Sequence, residues 1–217
     1  MRLLRHDQDN NLISVKTYDC CAHVYEQSFM DMSPYKNTVD EFCNLLPSVK
    51  SKILDLGCGP GNFSKYLYDF KGFHNIYGID LSNEMIKRAR KNVPAAYFEV
   101  EDIRKMTIRP AFFHGVLASF CIPYLSYHET EKLVSDIWKV LKPSGILYMS
   151  CMEGVKCGFE QTSFSGEMAV YIYYYTENFL TEVMEERGFH VLNVYRQPYL
   201  EVNGSISTDL IVIAQKQ

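Results

Sequence analysis

The feature that most constrains this chain is an apolar run that contains an acid and ends in three alternating glycines. Residues 53–61 read Ile-Leu-Asp-Leu-Gly-Cys-Gly-Pro-Gly. This pattern predicts a buried strand that turns sharply into a helix, with glycines that let the backbone turn tightly and approach a ligand. The dinucleotide fingerprint Gly-x-Gly-x-x-Gly is absent, because Asn62 or Ser64 stands at the sixth position of the two possible frames.

Three acids follow predicted strands at regular spacing. Asp55 precedes the glycines, Asp80 ends the apolar segment 76–80, and Asp102 ends the segment 97–102. Strands alternating with helical stretches form right-handed crossover units, which bring the carboxyl ends of the strands to one edge of a parallel sheet. We therefore expect the three acids to line one crevice there, with Asp80 placed to accept hydrogen bonds from a ribose. A carboxylate two residues before the first glycine favours a cation over a pyrophosphate, which predicts a cationic nucleoside as ligand.

These segments resemble the class I S-adenosylmethionine-dependent methyltransferases, most closely their small-molecule branch. The resemblance rests on 55–61, on Gly-Ile-Asp-Leu-Ser at 78–82, on Glu-Asp-Ile at 101–103 and on Leu-Lys-Pro-Ser-Gly at 141–145, where Ser144 replaces the commoner glycine. It implies a methyl transfer from S-adenosylmethionine, with Asp102 at the adenine. It also implies an α/β fold: a doubly wound, mostly parallel seven-stranded sheet with an antiparallel last strand.

The segment 16–25 resembles the Tyr-Asp-x-x-Ala-x-x-Tyr opening of small-molecule methyltransferases, which folds over the methionine end of the cofactor. The same residues also fit an amphipathic helix that simply covers the sheet. With this segment included, the expected cofactor-binding residues are Tyr18, Tyr25, Asp55, Gly57, Cys58, Gly59, Gly61, Asp80, Leu81, Met85, Asp102, Ile103, Ser119 and Phe120.

No side chain can be assigned to catalysis from the sequence. Methyl transfer is an in-line displacement at a sulfonium, so the protein must mainly align the reactants, and a base is needed only for a protonated acceptor. His23, His114 and His128 are the candidates; we expect His114 at the opposite edge of the sheet and His128 in the first turn of a helix. The histidines form no ligand-spaced pair and no Cys-x-x-Cys occurs, so no metal is expected.

The chain is expected to form one methyltransferase domain over residues 1–217, with a helical cap at about 16–48 and an insertion or lid at about 153–175. Residues 1–15 are polar and are expected to be partly disordered, 141–145 is expected to be the loop before the fifth strand, and 203–204 is expected to be a hairpin-like loop. Ser126 and Glu129 fit a capping box at the start of a helix. In the insertion, Tyr171, Tyr173 and Tyr175 alternate and should share one strand face. That face either presents aromatic rings to an acceptor, as a lid would, or belongs to an added edge strand.

Composition limits the partners. The net charge is −4 without a dense basic stripe, which argues against nucleic acid, and no apolar stretch is long enough for a signal sequence or a bilayer span. The seven cysteines form no disulfide framework, so free thiols in a cytoplasmic protein are expected. We expect a monomer or homodimer that acts on a small molecule, with no membrane partner.

The acceptor is left open by these patterns. The fourth strand continues into Ser-Phe-Cys-Ile-Pro-Tyr at 119–124, which lacks the Asn/Asp-Pro-Pro-Tyr of methyltransferases that act on base or glutamine amines. The cofactor motifs fit three functions equally: a small-molecule methyltransferase, a catalytically silent S-adenosylmethionine-binding module, and a protein-directed or other macromolecule methyltransferase.

Overall fold

The computed structural model describes residues 9–200 and 204–217. It contains one large sheet and a separate two-stranded sheet. The strands of the large sheet are β1 (Lys52–Leu56), β2 (Asn75–Asp80), β3 (Tyr97–Val100), β4 (Phe113–Ser119), β5 (Leu141–Met152), β8 (Phe189–Leu200) and β9 (Ile206–Lys216), and those of the small sheet are β6 (Cys157–Glu160) and β7 (Val170–Tyr173).

The large sheet has seven strands in the order β3-β2-β1-β4-β5-β9-β8. The first five strands of this order pair in parallel, and β9 runs antiparallel to both of its neighbours, β5 and β8. The predicted α/β architecture, with its antiparallel last strand, is thereby confirmed.

Alternating side chains of the central strands bury both faces of the sheet, as a parallel sheet covered by helices requires. On β4, Val116 and Ala118 pack into one apolar cluster and Leu117 into the other. The helices are α1 (Asn10–Phe29), α2 (Lys36–Leu45), α3 (Asn62–Lys71), α4 (Asn83–Asn92), α5 (Tyr127–Val140) and α6 (Glu177–Glu186). Residues of α2 and α3 fill the cluster with Leu117, and residues of α5 and α6 fill the other.

Local signals in the sequence place several helix ends. Ser82 caps α4 by accepting a hydrogen bond from the Met85 amide. Ser126 and Glu129 form the expected capping box at the start of α5, in which each side chain bonds the backbone of the other. These caps fix the two helices that begin at the carboxyl edge of the sheet, next to β2 and β4.

Three expectations differ from the structure. The chain from Asn10 is helical rather than partly disordered, while residues 1–8 lie outside the described residues. Asn203, the first residue of the hairpin-like loop expected at 203–204, also lies outside them. The loop expected at 141–145 is the first part of β5, in which Ser144 adopts a φ of +60°, a conformation that glycine adopts at little cost. The strand β6 was not predicted, and it pairs with β7 to make the insertion a hairpin.

Candidate active site

The glycine loop between β1 and α3 is shaped around the end of β2. Gly57 and Gly59 have φ values of +63° and +52°, and a Cβ at Gly57 would lie 2.6 Å from the Cβ of Cys121. At Gly59 the nearest such neighbour is the ring of Tyr25 at 3.8 Å. Gly57 is thus required by packing inside the protein, while Gly59 presents its backbone to open space beside Tyr25.

Asp80 connects this loop to the start of α4. One oxygen of its carboxylate accepts a hydrogen bond from the Gly59 amide at 2.9 Å, and the other accepts one from the Ser82 amide at 2.8 Å. Burial raises the pKa of Asp80 and the two amides act in the opposite direction. The carboxylate is therefore held in a fixed position at the carboxyl end of β2, where ligands bind in open α/β sheets.

Asp55 does not line the crevice, which corrects the expectation that all three acids do so. Its side chain is 2% exposed beneath the glycine loop, and its carboxylate accepts a 2.6 Å hydrogen bond from the Ser64 hydroxyl of α3. Burial raises the pKa of Asp55 to about 7. Its position ties β1 to α3, so it supports the loop from behind.

Asp102 lies on the other side of the crevice and is bound by Arg104. The Arg104 guanidinium donates to both carboxylate oxygens, at 2.9 Å and 2.8 Å for the closest contact to each. Burial raises the pKa of Asp102, but the hydrogen bonds from Arg104 outweigh it and leave the pKa lowered. Asp102 is thus a carboxylate anion with much of its hydrogen-bonding capacity already used.

A cavity lies between these two acids. About 720 Å³ of space lies within its walls when the open solvent at its mouth is included. Its wall is formed by Asn11, Ser14, Val15, Tyr18, Tyr25, Gly57, Gly59, Asp80, Leu81, Ser82, Met85, Asp102, Ile103, Ser119, Phe120, Cys121, Tyr124 and Leu125. Of the expected cofactor residues, only Asp55, Cys58 and Gly61 are outside this wall.

Cys58 and Gly61 belong to the glycine loop, but like Asp55 they face away from the cavity. Cys58 is buried against Ile86 and Phe98, and a Cβ at Gly61 would lie 3.3 Å from the Cα of Ala89. Both residues therefore allow α4 and β3 to pack closely against the loop. They shape the site without forming its surface.

The wall residues that the sequence patterns missed come from two places. Asn11, Ser14 and Val15 precede Tyr18 on α1 at helical spacing, so extending the helical pattern toward the N-terminus would have found them. Ser82, Cys121, Tyr124 and Leu125 belong to the turns after β2 and β4. Their contribution depends on how those turns fold back over the sheet edge.

Helix α1 forms the roof of the cavity and is tied to its rim along its length. The hydroxyls of Tyr18 and Tyr124 are hydrogen-bonded to each other. The carboxylate of Asp19 accepts a 2.6 Å hydrogen bond from the Ser82 hydroxyl. Arg88 of α4 pairs with Glu26 near the end of the roof.

The insertion packs against this roof through the face of β7 that carries Val170 and Ile172, not through the face of Tyr171 and Tyr173. Val170 and Ile172 are 0% and 4% exposed and pack with Phe164, against which the rings of Tyr18 and Tyr25 also lie. Tyr171 and Tyr173 project from the other face of β7, where Tyr171 contacts the half-exposed Phe159.

Tyr175 does not share that outer face, because the strand ends before it. It is fully buried, and its hydroxyl donates a 2.6 Å hydrogen bond to the Leu125 carbonyl. None of the three tyrosines therefore lines the cavity, although the interpretation that their rings face an acceptor required it.

The turn after β4 places an aromatic ring at the cavity. Phe120 has a φ of +52°, an uncommon conformation for a residue with a side chain. Its amide donates to the Ser150 carbonyl at 3.1 Å, and the Ser150 hydroxyl is hydrogen-bonded to that of Ser119 at 3.0 Å. Neighbouring β5 thus holds the turn in this conformation and directs Phe120 beside Tyr35, whose ring centroid is 5.4 Å away.

The three candidate histidines lie outside the cavity wall. His114 accepts a hydrogen bond from the Lys52 amide at the start of β1, on the expected opposite edge, and burial lowers its pKa. His128 is in the first turn of α5 with a side chain that is 91% exposed, and His23 is exposed on α1. Within residues 9–200 and 204–217 no group of three or more His, Cys, Asp or Glu could hold a metal ion, and no helix is long and apolar enough to cross a membrane.

The residues present fit a cationic nucleoside. The charged groups of the wall are the carboxylates of Asp80 and Asp102, which lie on either side of the cavity, and the ring of Tyr25 lies over Gly59. A sulfonium compound with a ribose and an adenine suits two acids at these positions, since carboxylates accept hydrogen bonds from hydroxyls and exocyclic amines. The absence of a Cβ at Gly59 leaves room for such a ligand to approach the backbone.

Comparisons with known proteins agree with this assignment. Residues 53–145 match a family model of the methyltransferase domain. The putative methyltransferase YqeM of Bacillus subtilis (strain 168) is 36% identical over 137 residues, which cover 60% of this chain and 53% of YqeM. A trans-aconitate 2-methyltransferase of Delftia acidovorans (strain DSM 14801 / SPH-1) is 34% identical over 97 residues, which cover 44% of this chain and 35% of that enzyme.

The chain thus spans about half, or less, of the length of these curated relatives. Among solved structures, the magnesium protoporphyrin IX methyltransferase of Synechocystis PCC 6803, solved with S-adenosylmethionine bound, superposes with a TM-score of 0.71 at 15% identity. That match covers 98% of this chain and 100% of the other. At this identity the likeness concerns the fold alone.

Proposed function

We propose that this chain, whose residues 53–145 place it among the class I S-adenosylmethionine-dependent methyltransferases, transfers a methyl group from that cofactor to a small-molecule acceptor. The observation that carries the proposal is the roofed cavity at the carboxyl ends of β1, β2 and β4. Its floor is the glycine loop with Asp80, and its roof is a helix of the same chain, tied to the rim by the Tyr18–Tyr124 and Asp19–Ser82 hydrogen bonds.

Each part of the wall has a proposed role in holding the cofactor. Asp80 would accept hydrogen bonds from the ribose, Asp102 and Ile103 would hold the adenine, and the backbone of Gly57 and Gly59 would lie at the methionine end. When bound, S-adenosylmethionine supplies a methyl carbon activated by an adjacent sulfonium. The protein would align the reactants and exclude water from them, since Tyr18, Tyr25 and Phe120 enclose the reacting space. Such positioning contributes at most roughly 7–11 kcal/mol to lowering the barrier.

The roof favours a small acceptor over a protein side chain. Val170, Ile172 and Phe164 of the insertion pack behind Tyr18 and Tyr25, so the space above the glycine loop is enclosed by two layers of the chain. We propose that residues 153–175 and the helical cap act together as a lid on one methyltransferase domain. Small pockets of this kind orient a ligand by a few polar groups among apolar ones, and the described wall offers the hydroxyls of Ser14 and Tyr124 beside the apolar Leu125.

Location and assembly are also proposals. All seven cysteines are free thiols, which suits a reducing cytoplasm. The net charge of −4 gives no support to a nucleic-acid partner. We propose a cytoplasmic enzyme that acts as a monomer or homodimer.

The proposal is tested by supplying the purified chain with S-adenosylmethionine that carries a CD3 group and, in separate reactions, with the small-molecule fraction and the heat-treated protein fraction of a cell extract. We expect S-adenosylhomocysteine to accumulate together with a CD3-labelled product of low molecular mass, and we expect Asp80→Asn to lower both severalfold when the cofactor concentration is below the dissociation constant of the parent chain. Label that appears only in protein would show a protein-directed enzyme. Binding of S-adenosylhomocysteine without turnover in any extract would identify a silent binding module.

A further inference from the structure

We infer, building on the proposed function, that the acceptor atom is a nitrogen that is uncharged at neutral pH, in a molecule without carboxylate or phosphate groups. The inference rests on what the described residues contribute to the cavity wall: acids, hydroxyls and aromatic rings, with no cationic side chain and no side chain placed to act as a base. An anionic acceptor needs a cation to bind it and a hydroxyl acceptor needs a base to remove its proton, so the composition of the wall distinguishes these acceptor classes.

Within the described part of the chain, none of the wall residues is lysine, arginine or histidine. The guanidinium on the adenine side belongs to Arg104, which is already paired with Asp9, Asp102 and Glu129. Arg88, on the other side of the roof, is paired with Glu26. Neither guanidinium is therefore free to bind an anionic acceptor.

The fixed charges of the wall add to this discrimination. Asp102 is an anion, since the hydrogen bonds from Arg104 lower its pKa, and Asp80 lies across the cavity with two backbone amides on its oxygens. A carboxylate or phosphate entering this space would lose its hydration and meet negative charge, and no cationic side chain of the described wall would offset that cost. The wall therefore selects against anionic acceptors.

Hydroxyl acceptors fail for a different reason, because an alcohol or phenol must lose its proton to become a good nucleophile. Burial raises the pKa of Tyr18, and it raises that of Tyr124 to about 12. Burial also raises the pKa of the Cys121 thiol. These groups keep their protons at neutral pH and cannot accept one from an acceptor.

The remaining candidates for a base are committed or distant. Asp80 accepts two backbone amides and Asp102 is bound by Arg104, and both are assigned to the cofactor. His114 is at the opposite edge of the sheet, and His128 and His23 are exposed outside the wall. The described wall therefore offers no proton acceptor for an alcohol.

An uncharged nitrogen needs neither a cation nor a base. Its lone pair forms the nitrogen–carbon bond while the carbon–sulfur bond breaks, the bonding pair stays on sulfur, and the nitrogen becomes positive. It then releases one proton to water. The cation forms among Tyr18, Tyr25, Phe120 and Tyr124, whose rings stabilise positive charge, and near the carboxylate of Asp80.

The test separates the extract by ion exchange at neutral pH into anionic, neutral and cationic pools before adding the full chain and CD3-labelled cofactor. Weakly basic amines are found in the neutral and cationic pools. We expect CD3 in those two pools only, attached to nitrogen by fragment masses, and we expect acylation of the pools with acetic anhydride to remove the activity. A CD3 ester from the anionic pool, or a CD3 ether from any pool, would overturn the inference.

A second readout keeps this test distinct from that of the proposed function. Calorimetric titration with S-adenosylhomocysteine reports the cofactor site without any acceptor. If the chain binds S-adenosylhomocysteine and labels an oxygen, the inference is wrong and the proposed methyltransferase stands. If it does not bind S-adenosylhomocysteine at all, the proposed function itself fails.

Discussion

Arg104 binds both carboxylate oxygens of Asp102, and its two terminal nitrogens also bind Asp9, the cap of α1. The contacts to Asp102 are as short as 2.8 Å and those to Asp9 are 3.1 Å. The hydrogen bonds to Asp102 raise the pKa of the arginine further above its usual value, although burial opposes this. One side chain thus links the acid expected at the adenine to the first turn of the roof helix.

Replacing Arg104 should loosen both the Asp102 carboxylate and the first turn of α1. We expect Arg104→Gln to raise the dissociation constant of S-adenosylhomocysteine roughly tenfold, because a hydrogen bond to a charged group contributes about 1.5–3 kcal/mol. The matched control is Lys87→Gln, since Lys87 pairs with Glu84 at the surface and its side chain is 67% exposed. Calorimetry that shows equal affinities for the two variants would contradict the role of Arg104.

The buried Asp55 predicts a pH-dependent stability. An unfolded aspartate has a pKa of about 3.9, whereas the pKa of folded Asp55 is about 7, so the folded chain holds a proton that the unfolded chain releases. Its contribution is fully present below about pH 4 and is lost as the pH rises to about 7. An asparagine side chain at this position has no such proton to lose.

We therefore expect the free energy of unfolding of Asp55→Asn, measured relative to that of the parent chain, to be roughly 1–3 kcal/mol larger at pH 8 than at pH 5. Urea unfolding at both pH values measures the difference, and Asp69→Asn, which alters an exposed pair with Lys65, should show little change. A constant difference between the parent and Asp55→Asn at the two pH values would mean that Asp55 is ionised in the folded chain.

Substitutions at two adjacent residues of β7 compare its buried face with its exposed face as supports of the roof helix. Ile172 is 4% exposed and packs with Phe164, whereas Tyr171 is partly exposed on the opposite face. Ile172→Ala should lower the free energy of unfolding by roughly 2–4 kcal/mol and weaken S-adenosylhomocysteine binding severalfold, because truncating a buried side chain leaves a cavity behind the roof. Tyr171→Ala should leave cofactor affinity unchanged. The reverse order of effects on affinity would show that the outer face, not the inner one, supports the site.

The sequence predicted the parts of this molecule that depend on local pattern. The alternation of strands and helices, the position of Asp80 at the end of β2 and the capping of α5 by Ser126 follow from short-range rules, and the structure contains all three. The family and its cofactor were likewise predicted from the glycine loop and the acids that follow it. These motifs lie within or beside residues 53–145, which match the methyltransferase domain.

The roof could not be predicted in the same way, because its contacts join residues far apart in the chain. Tyr18 meets Tyr124, and the Ser14 hydroxyl accepts a hydrogen bond from the Tyr171 amide. Alternation in β7 indicated that Tyr171 and Tyr173 share a face, but not which face is buried. Asp55 was misplaced for a related reason: its position at a strand end indicated the crevice, while Ser64 draws it beneath the loop.

The most direct test of the central claim is the calorimetric titration of the chain with S-adenosylhomocysteine, beside Asp80→Asn. The substitution keeps the shape of the side chain, removes its charge and leaves one acceptor oxygen for the amides of Gly59 and Ser82, so the unfolding temperature of the variant is measured beside its affinity. We predict one site in the parent chain and at least about tenfold weaker binding in Asp80→Asn, since a hydrogen bond to a charged acceptor contributes about 1.5–3 kcal/mol. No binding by the folded parent chain, or equal affinity in a folded Asp80→Asn, would contradict the account.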